Sequence, residues 1–281
     1  MSCPLRPPHV AADAGDRQAT ENKGLGQPGM RIEHLYRYPV KGLTAEALEE
    51  ATVEPGECLP WDRAFALAQG DAKFDPDAPA WLPKSNFMCL MKNARIAALA
   101  ASFEPRSRLL TLRAPDGAML AETPFTAAGQ ARIGAFLTAF LGPEARLAPS
   151  FHYVPGHSFC DQRHKVVSLI NQASITDLEA HAGAPRHRLR FRANIYFTGA
   201  PAWREFEWVG QTLQIGQAML RVTKRIPRCP ATEVNPETAA RDANPVAELR
   251  AAYGHTDLGI LAEVVEAGRI AVGDAIAVLP D

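Results

Sequence analysis

Cys229 sits between Pro227 and Pro230 and beside Lys224, Arg225 and Arg228. Nearby positive charge favours an anionic sulfur, and a thiolate is the ligand that a soft metal centre takes. By residue type alone, a lone cysteine serves equally as a small buried apolar side chain. Upstream, Arg186, Arg188, Arg190 and Arg192 alternate ahead of Asn194, and in an extended segment they share one face. Four guanidinium forks on one face suit a phosphate and a planar heterocycle; the same spacing also suits the solvated face of an edge strand. Lys41 and the neighbouring pair Asp62-Arg63 are further candidates for such an anion site, or are surface charges and an ion pair. Other chemistries lack their residues. His152, His157 and His164 do not have the spacing of a zinc site with a carboxylate partner. No nucleophile elbow surrounds Gly254-His255, and neither common Gly-rich phosphate loop occurs. The five cysteines, Cys3, Cys58, Cys89, Cys160 and Cys229, are scattered and odd in number without a C-x-x-C pair, which excludes a zinc ribbon, a thioredoxin-type pair, a ferredoxin cluster and a disulfide framework within this stretch.

The elements that must position these residues are mostly strands. From Arg31, the residues Ile32, His34, Tyr36, Tyr38 and Val40 alternate with Glu33, Leu35 and Arg37 until Pro39 limits pairing, and Lys41-Gly42 stands at the exit. A second strand around 51–53 turns at Pro55-Gly56 and returns through Trp61-Asp62-Arg63 into 64–67. Residues 109–113 and 118–120 flank Pro115-Asp116-Gly117, which is hairpin chemistry. Ile133, Phe136, Leu137, Phe140 and Leu141 have helical spacing within 126–141, and Gly142 ends the helix. Residues 143–163 lack periodicity and mark a domain transition. A buried strand over 166–170 then runs into Asn171, which caps a helix through about Ala180. Strands at 195–197, 212–215 and 218–223 follow, the last feeding the Cys229 loop, and short strands close the chain over 267–276.

With 281 residues, the chain is long enough for two domains with real cores. Its 30 Lys+Arg against 31 Asp+Glu leave a net charge of -1, so nothing global points to nucleic acid or an anionic membrane, and an anion site must be local. No apolar run reaches the ~20 residues of a membrane span, and no secretory apolar core opens the chain, so a cytoplasmic location is expected. Residues 1–29 have the composition of disordered coil, and Met30 directly after them is an alternative start.

These residues resemble a known family, the MOSC proteins with an N-terminal β-barrel domain, which include amidoxime-reducing components. Tyr38-Pro39-Val40-Lys41-Gly42 resembles the Y-P-V-K-S opening, and Trp61-Asp62-Arg63 the D-R element after it. Phe191-Arg192-Ala193-Asn194-Ile195 is similar to F-R-P-N-I, and residues 228–238, from Arg228-Cys229-Pro230 to Val234-Asn235-Pro236-Glu237-Thr238, are similar to R-C-x-x-T-x-V-(D/N)-P-x-T. The resemblance runs from Met30 to the C-terminus. It implies an α+β, mostly β fold, with a disordered segment over 1–29, an N-terminal β-barrel-like domain over 30–148, and a MOSC β-barrel domain with a few helices over 149–281. It also implies that Cys229 ligates molybdenum and that Lys41, Arg63, Arg192, Asn194 and Arg228 hold the pterin and its phosphate; Arg190, from the arginine run, joins this cofactor-binding set. Three positions depart from the pattern: Gly42 replaces serine, Ala193 replaces proline, and Ile226-Pro227 stand where relatives carry Cys-Ser.

The implied activity is a molybdenum-cofactor-dependent reductase acting on N-hydroxylated or N- or S-oxygenated small molecules, in which the cofactor carries the redox chemistry and the protein supplies anchoring and charge. Electrons then come from a separate donor protein, a ferredoxin, a cytochrome b5-like protein or a flavin reductase, since no cluster-type cysteine set precedes Asp281. The alternative is a cofactor-binding or sulfur-carrier module with a persulfide on Cys229. MOSC domains also occur fused to pyridoxal-phosphate-dependent sulfurases, but no Schiff-base lysine for pyridoxal phosphate can be picked out here.

Overall fold

The computed structural model describes residues 29–279; the expected disorder of 1–29 falls outside them but for Gly29. In chain order the strands are β1 (Arg31–Arg37), β2 (Glu46–Leu48), β3 (Glu50–Val53), β4 (Phe65–Ala68), β5 (Ala100–Glu104), β6 (Leu109–Arg113) and β7 (Met119–Glu122), followed by helix α1 (Ala127–Leu141). The second half contributes β8 (Ser150–Tyr153), β9 (Val167–Asn171), α2 (Gln172–Ala182), β10 (Ile195–Thr198), β11 (Thr212–Ile215), β12 (Ala218–Pro227), α3 (Pro245–Tyr253), β13 (Asp257–Glu266), β14 (Gly268–Ala271) and β15 (Ile276–Leu279). This is a mostly β, α+β fold.

Eight strands form one sheet in the order β15-β11-β12-β13-β9-β10-β1-β2, antiparallel except for the parallel β9–β10 pair. The sheet curls until its ends meet. Ile32 N–H donates to Asp274 O at 3.0 Å, Gly273 N–H to Ile32 O at 2.8 Å, and Ile276 N–H to Met30 O at 2.8 Å. Closure leaves no open edge along that seam and encloses an apolar interior that includes Ile32, Leu35, Leu169, Ile195, Leu213, Leu220, Ile260 and Ile270. The first strands of the chain thus complete the sheet of the second half, and β3 pairs with β14.

The N-terminal elements hold a second core, with Phe65, Leu99, Phe103, Leu110, Leu112, Ile133, Leu137 and Phe151 packed together. Here β4 pairs with β8, and β5-β6-β7 form a meander. The β6–β7 hairpin pairs Arg113 with Met119, and Gly117 at φ 89 supplies the left-handed residue the turn needs. Thr126 caps α1 by accepting from Gly129 N–H at 3.0 Å, and Asn171 caps α2 from Ala173 N–H at 3.1 Å.

Two expectations are corrected. In β1 the pairing passes from Ile32↔Phe197 to His34↔Tyr196, so Glu33 is an extra residue, and this bulge flips the phase of the strand. Leu35 therefore joins Ile32 in the core while His34 and Tyr36 stay half-buried. The arginine run is not an extended ladder: Arg188–Arg190 is a 3-10 turn. Phe191 and Ala193 are drawn into the core against α2 and α3, and Arg186 is clamped by both oxygens of Glu248 at 2.6 and 2.8 Å, while Arg190 goes to Asp242 and Arg192 to Leu43 O. Helix α3 carries the signals of its ends, Asn244 at the cap, Pro245 in the first turn and Gly254 in the left-handed region after it. The short strands expected over 267–276 are β14 and β15, and the 10-residue β13 ahead of them, which no expectation covered, runs through the centre of the curled sheet.

Candidate functional site

A cleft of about 420 Å3 is lined by Lys41, Arg63, Arg190, Arg192, Asn194, Arg228 and Cys229, within the roughly 300–1,000 Å3 usual for small-molecule and cofactor sites. The seven residues of the implied metal and cofactor set all line it, whereas Arg186 and Arg188 of the arginine run do not. They come from both halves: Lys41 and Arg63 from the loops around β1 and β4, Arg190 to Asn194 from the turn before β10, and Arg228 and Cys229 from the end of β12.

Tyr38 organises the arginines. Its ring has the Arg63 guanidinium at 4.6 Å on the centroid and the Arg192 guanidinium at 4.3 Å, a stacking for which the planar guanidinium is suited. Arg63 and Arg192 both take positive φ, 51° and 52°, a conformation that costs a non-glycine residue about 1–3 kcal/mol and persists only where surroundings enforce it. Burial, reinforced by Tyr196, holds the Tyr38 hydroxyl well above its ordinary pKa against the two arginines, and it donates to Ala193 O at 3.1 Å. Asn194 is a buckle: its Oδ1 accepts from Ser168 N–H and Oγ at 3.1 and 2.8 Å, and its Nδ2 donates to Tyr36 O at 3.2 Å, tying β9, β10 and β1 together.

Counter-ions sort the cations. Arg63 pairs with buried Asp62, Arg190 with Asp242, and Lys41 with Asp161. Arg192 and Arg228 have no carboxylate within ion-pair distance among the described residues; Arg192 donates to Leu43 O at 2.6 Å, and Arg228 to Leu258 O and to Phe191 O, each at 2.8 Å. Burial holds both of these guanidinium groups down at about 10, below the ordinary arginine value. For Arg63, burial acts in the same direction but Asp62 outweighs it and raises the value. Two desolvated cations without a counter-ion favour an incoming anion. The Nε of Arg190, a side chain 4% exposed, is also buried without a partner. An anionic, polar ligand such as a pterin phosphate fits this donor set, and Arg192 and Arg228 are the residues with charge to give it.

Cys229 lies two residues past the end of β12 and caps the 3-10 turn Pro230–Glu233; its carbonyl accepts from Thr232 N–H and Oγ1, both at 3.0 Å. The thiol is half-buried and uncommitted to any disulfide. Its positive surroundings differ from those expected: Lys224 and Arg225 are exposed, and Arg225 stacks on Phe206 at 4.3 Å. The cation across the cleft is Lys84. Burial opposes its charge, but Asp161 and then Cys229 hold its ammonium above the usual lysine value. Asp161 bridges Lys41 and, at 3.8 Å, Lys84; burial raises its carboxyl, but Lys41 and then Lys84 bring it below its ordinary value. Lys84 and Asp161 carried no motif, and only the folded chain brings them to Cys229.

Two departures from the motif have local causes. Gly42 lies at φ 86, and a Cβ there would come within 2.6 Å of Ile96 Cδ1 and 3.2 Å of Met88 O. Gly42→Ser is expected to cost about 1–3 kcal/mol, read as a fall of several degrees in Tm; an unchanged Tm would show that this loop relaxes freely. Ala193 N–H donates to Tyr196 Oη at 3.1 Å, a bond that proline could not make. Near the cleft, Cys58 donates weakly to Asp62 O at 3.5 Å, and burial, with Asp62 adding to it, pushes its thiol up to about 12. Since the thiolate is the nucleophile, Cys58 should resist iodoacetamide at pH 8 in the folded protein; peptide mass spectrometry showing rapid Cys58 labelling would contradict its burial.

Residues 149–277 match the MOSC domain and residues 29–141 match the MOSC N-terminal beta barrel domain. The chain is similar to "Mitochondrial amidoxime reducing component 2" of Rattus norvegicus, 27% identical over 143 residues that cover 47% of this chain and 42% of that protein. The Bos taurus protein of the same name is 29% identical over 122 residues, covering 39% of this chain and 36% of the relative. The chain thus matches less than half the length of either relative. Among solved structures, the YuaD protein of Bacillus subtilis aligns with a TM-score of 0.42 at 13% identity, covering 89% of this chain and 94% of that one. YiiM of Geobacillus stearothermophilus aligns with a TM-score of 0.32 at 16% identity over 41% and 54% of the two chains. With both domain matches in order along one cleft-forming fold, this chain belongs to the MOSC family whose members carry an N-terminal MOSC β-barrel domain.

Proposed function

We propose that this protein is a molybdenum-cofactor-dependent oxidoreductase that reduces N-hydroxylated or N- or S-oxygenated small molecules. The observation that carries the reading is the pairing, in one cleft, of a free thiol on Cys229 with two half-buried guanidinium groups, Arg192 and Arg228, that have no carboxylate partner among the described residues. Cys229 would hold the metal, and Arg192 and Arg228 the anionic part of the pterin. Arg63, Arg190 and Lys41, each already paired, shape the walls, and Tyr38 orients Arg63 and Arg192. When bound, the cofactor supplies the two-electron chemistry. In the net reaction an N–O or S–O bond breaks, two electrons and two protons enter, and the oxygen leaves as water. The electrons come from a separate donor protein of the ferredoxin, cytochrome b5-like or flavin-reductase kind.

The test is reduction of benzamidoxime, trimethylamine N-oxide and methionine sulfoxide by the purified protein with reduced methyl viologen, alongside elemental analysis. Turnover of at least one compound by molybdenum-containing protein is expected. Metal-loaded protein that reduces none of them ends the reductase reading, and cyanide-releasable sulfur on metal-free protein would replace it with a sulfur carrier.

A further inference from the structure

After Cys229 the chain carries Val234-Asn235-Pro236-Glu237-Thr238, none of which lines the cleft. This stretch folds back on itself. Val234 and Arg241 pair as an antiparallel bridge, Asn235 N–H donates to Ala240 O at 2.7 Å and Ala239 N–H to Asn235 O at 2.9 Å, and Asn235 Oδ1 accepts from Glu237 N–H at 2.9 Å. The closed turn returns Arg241 to the Cys229 loop. Its Nη1 donates to Pro230 O at 3.0 Å and Glu233 Oε2 at 3.1 Å, while its Nη2 donates to Leu90 O at 2.8 Å and Met91 O at 2.9 Å. Pro230 directly follows Cys229, and Leu90 and Met91 line the cleft from the first half of the chain. One guanidinium thus fastens the loop that carries the sulfur to a wall built by a distant segment.

A second contact makes the same join further along. Val234 is 1% exposed and belongs to the N-terminal core with Met88 and Leu90, against which Ala231 and Ala239 also pack. Val234 holds the far end of the loop, and Arg241 holds the end next to Cys229. The Arg241 side chain is 34% exposed, so its ion pair with Glu233 adds little to stability. Its planar fork, however, can hold acceptors on two segments at once.

We propose that Arg241 is a positioning residue: by tying Pro230 O to the carbonyls of Leu90 and Met91, it fixes where the Cys229 sulfur stands relative to Arg192 and Arg228. The assignment rests on the reading above, in which Cys229 holds the metal. A sulfur and two cations on separate elements grip one cofactor together only while their spacing is kept, and the residues behind a ligand keep it.

Three variants separate the bridge from the charge. Arg241→Gln removes the bridge, Arg241→Lys keeps the charge beside Glu233 without a fork to span two segments, and Glu233→Ala keeps the bridge without the ion pair. In the full-length, molybdenum-containing protein, Arg241→Gln is expected to lose molybdenum about tenfold faster than wild type on dialysis. The electron paramagnetic resonance spectrum of the reduced protein, which reports the direction of the ligand sulfur, should show shifted g-values. Arg241→Lys should follow Arg241→Gln in both, and Glu233→Ala should match wild type; if Arg241→Gln does not fold, Arg241→Lys carries the test. Wild-type retention and spectrum in either Arg241 variant overturn the assignment. So does Glu233→Ala behaving like Arg241→Gln, because the local ion pair would then suffice, or unfolding of metal-free Arg241→Lys, which would make Arg241 a structural tie. Wild-type protein that binds no molybdenum overturns this assignment together with the reading above. If the wild type holds molybdenum, the variants behave as expected and nothing is reduced, the reductase reading alone fails.

Discussion

Cys229→Ser protein is expected to purify folded and without molybdenum. The position contributes to the fold through its backbone, since the Cys229 carbonyl accepts both bonds from Thr232, and serine keeps that carbonyl. The half-buried sulfur has no structural partner in a disulfide, so stability should move by no more than about 0.5 kcal/mol. Metal retention should collapse, because a serine hydroxyl is not ionised at neutral pH and is a hard donor where a soft one is needed. Even residues that only support a metal ligand change affinity by about 10–100-fold, so removal of the ligand itself should lie at or beyond the upper end. Elemental analysis of wild type and variant, with thermal unfolding of both in metal-free form, reads the two effects separately. A variant with wild-type molybdenum content would remove Cys229 from the site.

The second large effect is a division of labour among arginines that look alike. Arg63→Met strands the Asp62 carboxylate, whose side chain is 2% exposed and keeps only the Tyr38 N–H at 2.8 Å. Breaking a buried pair from one side costs about 3–5 kcal/mol, which for a chain of this size lowers Tm by roughly 6–20 °C. Arg192→Met and Arg228→Met leave no carboxylate stranded. They relieve the desolvation of an uncompensated cation and forfeit bonds to the carbonyls of Leu43, Leu258 and Phe191 together with the guanidinium stacking on Tyr38 and Phe191, so the cofactor-free protein should lose less stability than with Arg63→Met. Cofactor binding, however, should weaken about 10–100-fold for each, the worth of a charge-assisted bond of about 1.5–3 kcal/mol. Thermal unfolding of cofactor-free protein and molybdenum content of protein as purified give the two axes. If Arg63→Met and Arg192→Met fall at the same place on both, counter-ions do not decide the roles of these residues.

Much of the cleft was readable because its residues lie in short motifs. Lys41, Arg63, Arg190, Arg192, Asn194, Arg228 and Cys229 are far apart in sequence yet line one cleft. Asp62 stands beside Arg63 in the sequence, but the motifs did not reveal that Arg190 is neutralised while Arg192 is not, because Asp242 meets Arg190 only through the fold. Lys84 and Asp161 come from stretches without periodicity, so no local pattern marked them. Tyr38 stood in a motif, but only as a strand residue; that it carries two guanidinium groups depends on positive-φ turns at Arg63 and Arg192, which residue type argues against.

Local sequence determined what local energetics can specify. Thr126 and Asn171 satisfied the first turns of their helices, Pro115-Asp116-Gly117 set a hairpin, and alternation marked most strands, because capping, turn geometry and side-chain period are settled within a few residues. Tertiary structure decided how β1 closes the curled sheet against residues 273–276, where Glu33 bulges, and that Lys84 faces Cys229. Those outcomes depend on which distant segments can bury their apolar faces together, and it is that shared burial that strips solvent from Arg192 and Arg228 and readies their charge for a ligand.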